Sequence, residues 1–196
     1  MTILEARRPS VDLRAARDAA ADLLAALGLD LADEAMAATP GRMARAFAEL
    51  LTPVPFEMTT FPNDEGYDEL VLVRDIPVRS LCEHHMLPFV GVAHVSYLPG
   101  DRILGLSKLA RLVDHHARGA QTQERLTQRV ADHLGDALGA AGVGVVVEAE
   151  HLCMTLRGVR VPGSRTVTSA LLGRLREDPA SRAEFLALTR TGPTGG

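Results

Sequence analysis

The chain has two cysteines, and each sits beside histidine: Cys82-Glu83-His84-His85 and His151-Leu152-Cys153. Thiolate plus imidazole is a zinc ligand set, and two segments that share one ion must be brought together by the fold. Cys82 and His85 have the two-residue gap at which a tight turn lets both side chains grip an ion, and Cys153 offers a distant third ligand. Three protein ligands leave a tetrahedral position open, where a water's pKa falls from roughly 15.7 to about 7. That arrangement points to hydrolysis rather than to a structural staple. The alternative, a disulfide, is disfavoured by the histidines and by the lack of an export signal.

At 196 residues and 46% hydrophobic, the chain is long enough for one domain with a core, preceded by a small helical extension. Met1 to Arg8 lack the apolar core of a signal peptide, and no later apolar run approaches the roughly 20 residues that span a membrane, so a cytoplasmic location and no membrane partner are expected. A net charge of -4, no Trp and two Tyr argue against a nucleic-acid partner. An anionic ligand would need a local basic cluster.

The periodicity predicts a helix from Val11 to Leu27 stopped by Gly28, a second near Leu31, and a third from Arg42 to Leu51 with Thr39 as N-cap and Pro40 in the first turn. Thr52 to Asp68 holds three prolines and reads as loop. Strands follow over Glu69–Arg79 and Val90–Leu98, then helices capped by Ser107 and over Thr122–Leu138. A strand over Gly142–Glu150 is expected to continue from Leu152 to Val159, with a last strand at Thr166–Leu171 and a last helix opened by Asp178-Pro179. The fold class is thus α+β: an antiparallel sheet of two hairpins, a helical pair on one face, and a second face that must find a partner. The expected divisions are 1–52, an N-terminal helical extension; 53–190, the catalytic domain; and 191–196, a disordered tail.

Strand alternation would put His151 on the same face as Cys153, with Thr155, Arg157 and Val159 of like parity if the strand is regular. His85 as ligand leaves His84 available as acid or base. The plainer alternative has His84 packing or capping and His151 acting as a hydrogen-bond partner. Ser107, Lys108 and Arg111 at a helix start, with Arg157, could hold a phosphate; alone they would be a solvated helix face and an edge-strand arginine. Gln123 and Glu124 could read a purine edge, or be ordinary first-turn residues. His115 and His116 diverge by about 100° on a helix and read as packing or surface residues, as do His94 and His133.

Five ordered blocks carry a family resemblance: Ser80-Leu81-Cys82-Glu83-His84-His85; Gly105 to Arg111; Gln123-Glu124-Arg125-Leu126-Thr127; His151-Leu152-Cys153-Met154; and Arg157 to Arg160 with Ser164-Arg165-Thr166. From about Leu31 to Arg190 the chain resembles the GTP cyclohydrolase I family. The resemblance implies a hydrolase that opens the guanine imidazole ring of GTP, releases formate and forms 7,8-dihydroneopterin triphosphate at the start of folate synthesis. It implies one zinc per subunit on Cys82, His85 and Cys153, with His84 protonating the purine and His151 moving protons at the ribose. It implies Gln123 and Glu124 on the guanine edge, Ser107 near the base or ribose, and Lys108, Arg111 and Arg157 on the triphosphate. It also implies the tunnelling fold (T-fold), in which subunit sheets join into pentameric barrels and a homodecamer with active sites between subunits. Gly119 stands where the family often has a second basic residue. Competing expectations are a relative that stops at a ring-opened formamidopyrimidine or reduces a deazapurine nitrile, and a non-catalytic zinc-stabilised oligomer. The reductase would need a cysteine nucleophile, and both cysteines are committed to metal.

Overall fold

Aspartates start the first two helices of the computed structural model, which describes residues 10–190. The Asp12 carboxylate accepts from the backbone N–H groups of Arg14 and Ala15, both at 3.0 Å, and opens α1 (Leu13–Ala26). Asp33 accepts from Ala35 N–H at 2.9 Å and opens α2 (Glu34–Ala37). Each aspartate fills donors that a helix start leaves unpaired. In α3 (Thr39–Leu51) the residue before the helix is Ala38, without a side-chain bond; Thr39 lies inside the helix instead of capping it. Pro40 suits the first turn because the N–H it lacks would have no helical partner there. α1 packs on α3, with Ala20, Pro40 and Ala44 buried. Met1–Thr52 forms one compact unit and Pro53–Gly196 a second. The tail expected at 191–196 lies outside the described residues.

The second unit begins with β1 (Thr60–Pro62), inside the stretch expected as loop. β2 (Val71–Cys82) and β3 (Pro88–Leu98) form an antiparallel hairpin, and β4 (Arg102–Leu104) pairs back on β1. Then come α4 (Ser107–Ala117), β5 (Ala120–Gln121), α5 (Gln123–Leu138), β6 (Gly142–His151) and α6 (Leu152–Thr155). β7 (Thr166–Gly173), α7 (Arg174–Glu177) and α8 (Pro179–Arg190) complete the described chain. The main sheet runs β5-β2-β3-β6-β7, antiparallel throughout except for the short parallel β5–β2 pair. Antiparallel pairing puts the end of β2, the start of β3 and the end of β6 at the same end of the strands. There Leu81 faces Pro88, Phe89 faces His151 and Cys82 faces Gln121.

Alternation along β6 decides which residues meet which helices. Val143, Val145, Val147 and Ala149 join Leu109, Leu112 and Val113 of α4 and Leu126, Val130, Leu134 and Leu138 of α5 in the main core. Each such leucine stabilises the fold by roughly 1.5–3 kcal/mol on burial. The opposite parity is not left bare. Val146 packs with Leu98, Leu175 and Phe185, so α7 and α8 supply a cover for part of the second face. Asp178 holds α8 in place by accepting from Ser181 N–H at 2.9 Å and Ser181 Oγ at 2.6 Å.

Two local expectations are corrected. Ser107 is the first residue of α4, not its cap; Leu106 precedes the helix and no side chain caps it. The expected strand over Leu152–Val159 does not form: β6 stops at His151 and the chain turns at once into α6, with Leu156 N–H on Leu152 C=O at 3.1 Å. A helical turn rotates successive residues by about 100°, so the parity that grouped Thr155, Arg157 and Val159 with Cys153 does not apply.

Candidate active site

Cys82 ends β2 and starts a tight return. Its N–H bonds Leu87 C=O at 2.9 Å, and its own carbonyl accepts from His85 N–H at 3.3 Å and Met86 N–H at 2.8 Å. This turn folds the two histidines back over the thiol: Cys82 Sγ lies 3.8 Å from His84 Nδ1 and 4.0 Å from His85 Nδ1. Distance to Cys82 alone therefore does not choose the ligand. Cys153 does, because one ligand atom each from Cys82, His85 and Cys153 lies within 4.8 Å of the others, the one such group among the described residues. Both cysteines are unbridged and buried, while His85 is exposed. Burial, and then the neighbouring Cys82 thiol, push the Cys153 thiol up; the Arg157 charge works weakly the other way. Two crowded sulfurs and an imidazole form a donor set that a soft divalent cation would relieve, and it suits zinc. The residues present fit a metal.

His151 is held from two sides. Its ring stacks on Phe89, its register partner, with centroids 4.7 Å apart and planes 10° from parallel. Its Nε2 lies 2.8 Å from Gln123 Oε1. Gln123 Nε2 donates to Val147 C=O at 3.0 Å, Thr166 C=O at 2.9 Å and Thr168 Oγ1 at 3.2 Å, which forces the amide oxygen toward His151. His151 Nε2 therefore carries hydrogen and Nδ1 is left as the acceptor, an assignment made from the hydrogen-bond pattern. Burial lowers the His151 pKa, with Glu124 opposing, so the ring is disposed to be a neutral base.

Gln123 and Glu124 sit differently at the start of α5. Gln123 is 1% exposed and its amide is fully engaged inside the fold, whereas Glu124 is exposed. Ser107 and Arg111 are exposed on α4, Lys108 is half-buried and Arg157 is exposed beyond α6. Among the described residues no ion pair engages Lys108, Arg111 or Arg157. Arg111 also lines a cavity of about 300 Å³ with Val54, Pro55, Phe56, Ala110 and Asp114. Gly119 turns the chain between α4 and β5 at φ 119°, a conformation that a basic side chain there would strain.

The remaining histidines serve packing. His116 Nε2 and His133 Nδ1 share a 3.0 Å hydrogen bond, His115 Nδ1 donates to Val54 C=O at 2.9 Å, and Phe56 stands 5.4 Å from the His115 ring. Burial, followed by the nearby His133 and His115, lowers the His116 pKa to about 3. His94 Nδ1 accepts from Asp75 N–H at 3.3 Å. Phe89 went unnoticed in the sequence, since its role depends on strand register, as did the pairing of Arg125 with Glu83.

The GTP cyclohydrolase I family model matches residues 16–190. The chain is 53% identical to GTP cyclohydrolase 1 of Streptomyces avermitilis over 182 residues, 90% of each chain. It is 51% identical to that of Thermoanaerobacter pseudethanolicus over 183 residues, covering 91% of this chain and 97% of the relative. It is 49% identical to that of Mycobacterium ulcerans over 198 residues, covering 96% and 98%. Among solved structures, the apo form of the archaeosine synthase QueF-Like overlaps 53% of this chain and 93% of its own, at a TM-score of 0.44 and 18% identity.

Proposed function

The chain belongs to the GTP cyclohydrolase I family, and from that premise we propose how its residues divide the family's reaction. The activity is hydrolytic opening of the imidazole ring of GTP, release of formate and formation of 7,8-dihydroneopterin triphosphate, the first step of folate and pterin biosynthesis. The observation that carries the division of labour is the grouping of Cys82, His85 and Cys153 within 4.8 Å, with His84 and His151 beside it and outside it. Those three residues would hold one zinc, which supplies Lewis acidity and makes water a nucleophile at neutral pH.

His84, exposed at the mouth of the site, delivers a proton to the purine as its ring opens. His151, its Nε2–H donated to Gln123, presents Nδ1 as the base for proton transfers at the ribose. Glu124 takes the guanine edge, Gln123 acts behind it by orienting His151, and Ser107 serves the base or ribose. Lys108, Arg111 and Arg157, cations with no ion pair among the described residues, take the triphosphate. The five-stranded sheet, ending in short β5 and in β7, is the unit of a T-fold barrel built edge to edge from neighbouring subunits. The assembly is a cytoplasmic homodecamer of two stacked pentamers, with active sites between subunits. Residues 53–190 form its catalytic domain.

Incubation of the zinc-loaded protein with GTP, followed by assays for formate and for a fluorescent oxidised pterin, tests the activity. Both products are expected. Formate without pterin selects a reaction that stops before the ribose rearranges, and neither product at full zinc occupancy favours a binding module. His84→Ala is expected to keep one zinc per chain and lose about 10²-fold or more in kcat. Normal turnover in that variant would remove His84 from the acid–base role.

A further inference from the structure

Glu83 lies between Cys82 and His84. Its Oε2 is bound by Arg125 Nη2 from the first turn of α5, and its Oε1 lies 4.0 Å from His84 Nε2. The guanidinium is itself fixed: Arg125 Nε donates to Gln121 Oε1 at 3.1 Å, and Nη2 also donates to Ala120 C=O at 3.1 Å. Gln121 is 2% exposed, and its Nε2 donates to His116 C=O at 3.0 Å, which aims its oxygen at Arg125. The backbone repeats the tie, Glu83 N–H to Gln121 C=O at 3.0 Å, where β5 runs parallel to the end of β2. The hydrogen bond from Arg125 lowers the pKa of the Glu83 carboxyl.

We propose that Arg125 is a positioning residue for the reaction, which acts through Glu83 to hold the Cys82–His85 turn, and His84 with it, against α5. The argument is geometric. Cys82 is anchored at its own end by strand pairing and Glu83 by its N–H on Gln121 C=O, but His84, His85 and Met86 are exposed, and the chain is next tied at Leu87, whose C=O accepts from Cys82 N–H. Between those ties the Glu83 side chain is the link from the turn to a helix. Without it, the turn keeps the Glu83 N–H bond to Gln121 and the bonds to the Cys82 carbonyl, and loses its side-chain tie to α5. Outer partners that orient a ligand typically change metal affinity or activity by about 10–100-fold. The opening of α5 thus steadies both imidazole clusters, Gln123 on His151 and Arg125 on the Cys82 turn.

This proposal rests on the metal-centre reading above, and its test includes a readout that needs no GTP. In the full-length chain, Glu83→Gln, Arg125→Gln and the double variant are loaded with zinc, and metal release to a chelator is timed. In parallel, kcat and KM for GTP are measured at saturating zinc. Each single variant is expected to release zinc about tenfold faster and to lose about tenfold in kcat, with KM within about threefold. The double variant is expected to be no worse than the more impaired single one, since both remove the same link. Unchanged release and kcat in the single variants, or losses that multiply to about a hundredfold in the double, would overturn the proposal. If the glutamine variants do not fold, Arg125→Lys and Glu83→Asp decide it: a several-fold faster release supports the link, and unchanged release sinks it. Failure of the unaltered chain to convert GTP would instead sink the activity reading, and the release measurements would still judge the pair.

Discussion

His116 shows how one side chain couples the packing beneath α4 to pH. Half-buried beside His133 and His115, it stays neutral down to about pH 3 in the folded chain, while in the unfolded chain it takes a proton near its ordinary value of 6.5. Between those limits the unfolded state holds the extra proton, so stability is complete above about pH 6.5 and falls as pH is lowered toward 3. His116→Gln removes that titration. Its urea midpoint is expected to fall less steeply than that of the parent between pH 6.5 and 4, and equal slopes would show that His116 does not contribute to acid lability. The three candidate metal ligands could be grouped from spacing because Cys82 and His85 lie in one turn and Cys153 is the one other cysteine. The placement of Gln123 could not, because a glutamine opening a helix looks alike whether it faces substrate or the interior. Here the carbonyls of Val147 and Thr166 decide it, and both come from strands far along the chain.

Among the elements, those with a long period were readable and the short ones were not. Three- and four-residue spacing of the buried side chains along α5, and the valine-rich strands β3 and β6, extend over ten or more residues, long enough to be read. β1, β4 and β5 have three, three and two residues, too few for any period to register. α6 was misread for a different reason. Leu152 to Val159 has the composition of a strand, but the run beyond Cys153 is exposed and pairs with no neighbour, so nothing rewards extension. Where β6 is covered on both faces, a close approach sets the limit. A Cβ on Gly144 would lie 2.7 Å from Ser96 Oγ and 2.8 Å from Phe185 Cε1, atoms that are themselves fully buried. Gly144→Ala should lower stability by about 1–3 kcal/mol. Chemical unfolding is the check, and the added Phe185→Leu is expected to recover part of the loss by making room.

At the scale of the whole molecule, the described residues of both apolar clusters lie beyond Thr52, as do all the candidate site residues. The second unit therefore has its own core and its own metal ligands. A chain beginning at Pro53 is expected to keep its β-sheet circular dichroism and bind one zinc, measured by metal analysis after gel filtration. An unfolded product, or one that holds no metal, would place part of the determinant in residues 1–52. The α+β class and the covered helical face were legible from element order. The cover on the reverse face was not, because the sequence of α8 does not show which surface it packs on; it owes its place to Phe185 and the Asp178–Ser181 cap.

β3 and β6 pair without interruption from Leu98 opposite Gly142 to Phe89 opposite His151. That ladder leaves no slack in chain length. One residue gained or lost within β6 would turn its core valines outward and carry His151 off Phe89. Natural variation in the length of this protein should therefore spare the interval from Gly142 to His151, leaving it at a constant count.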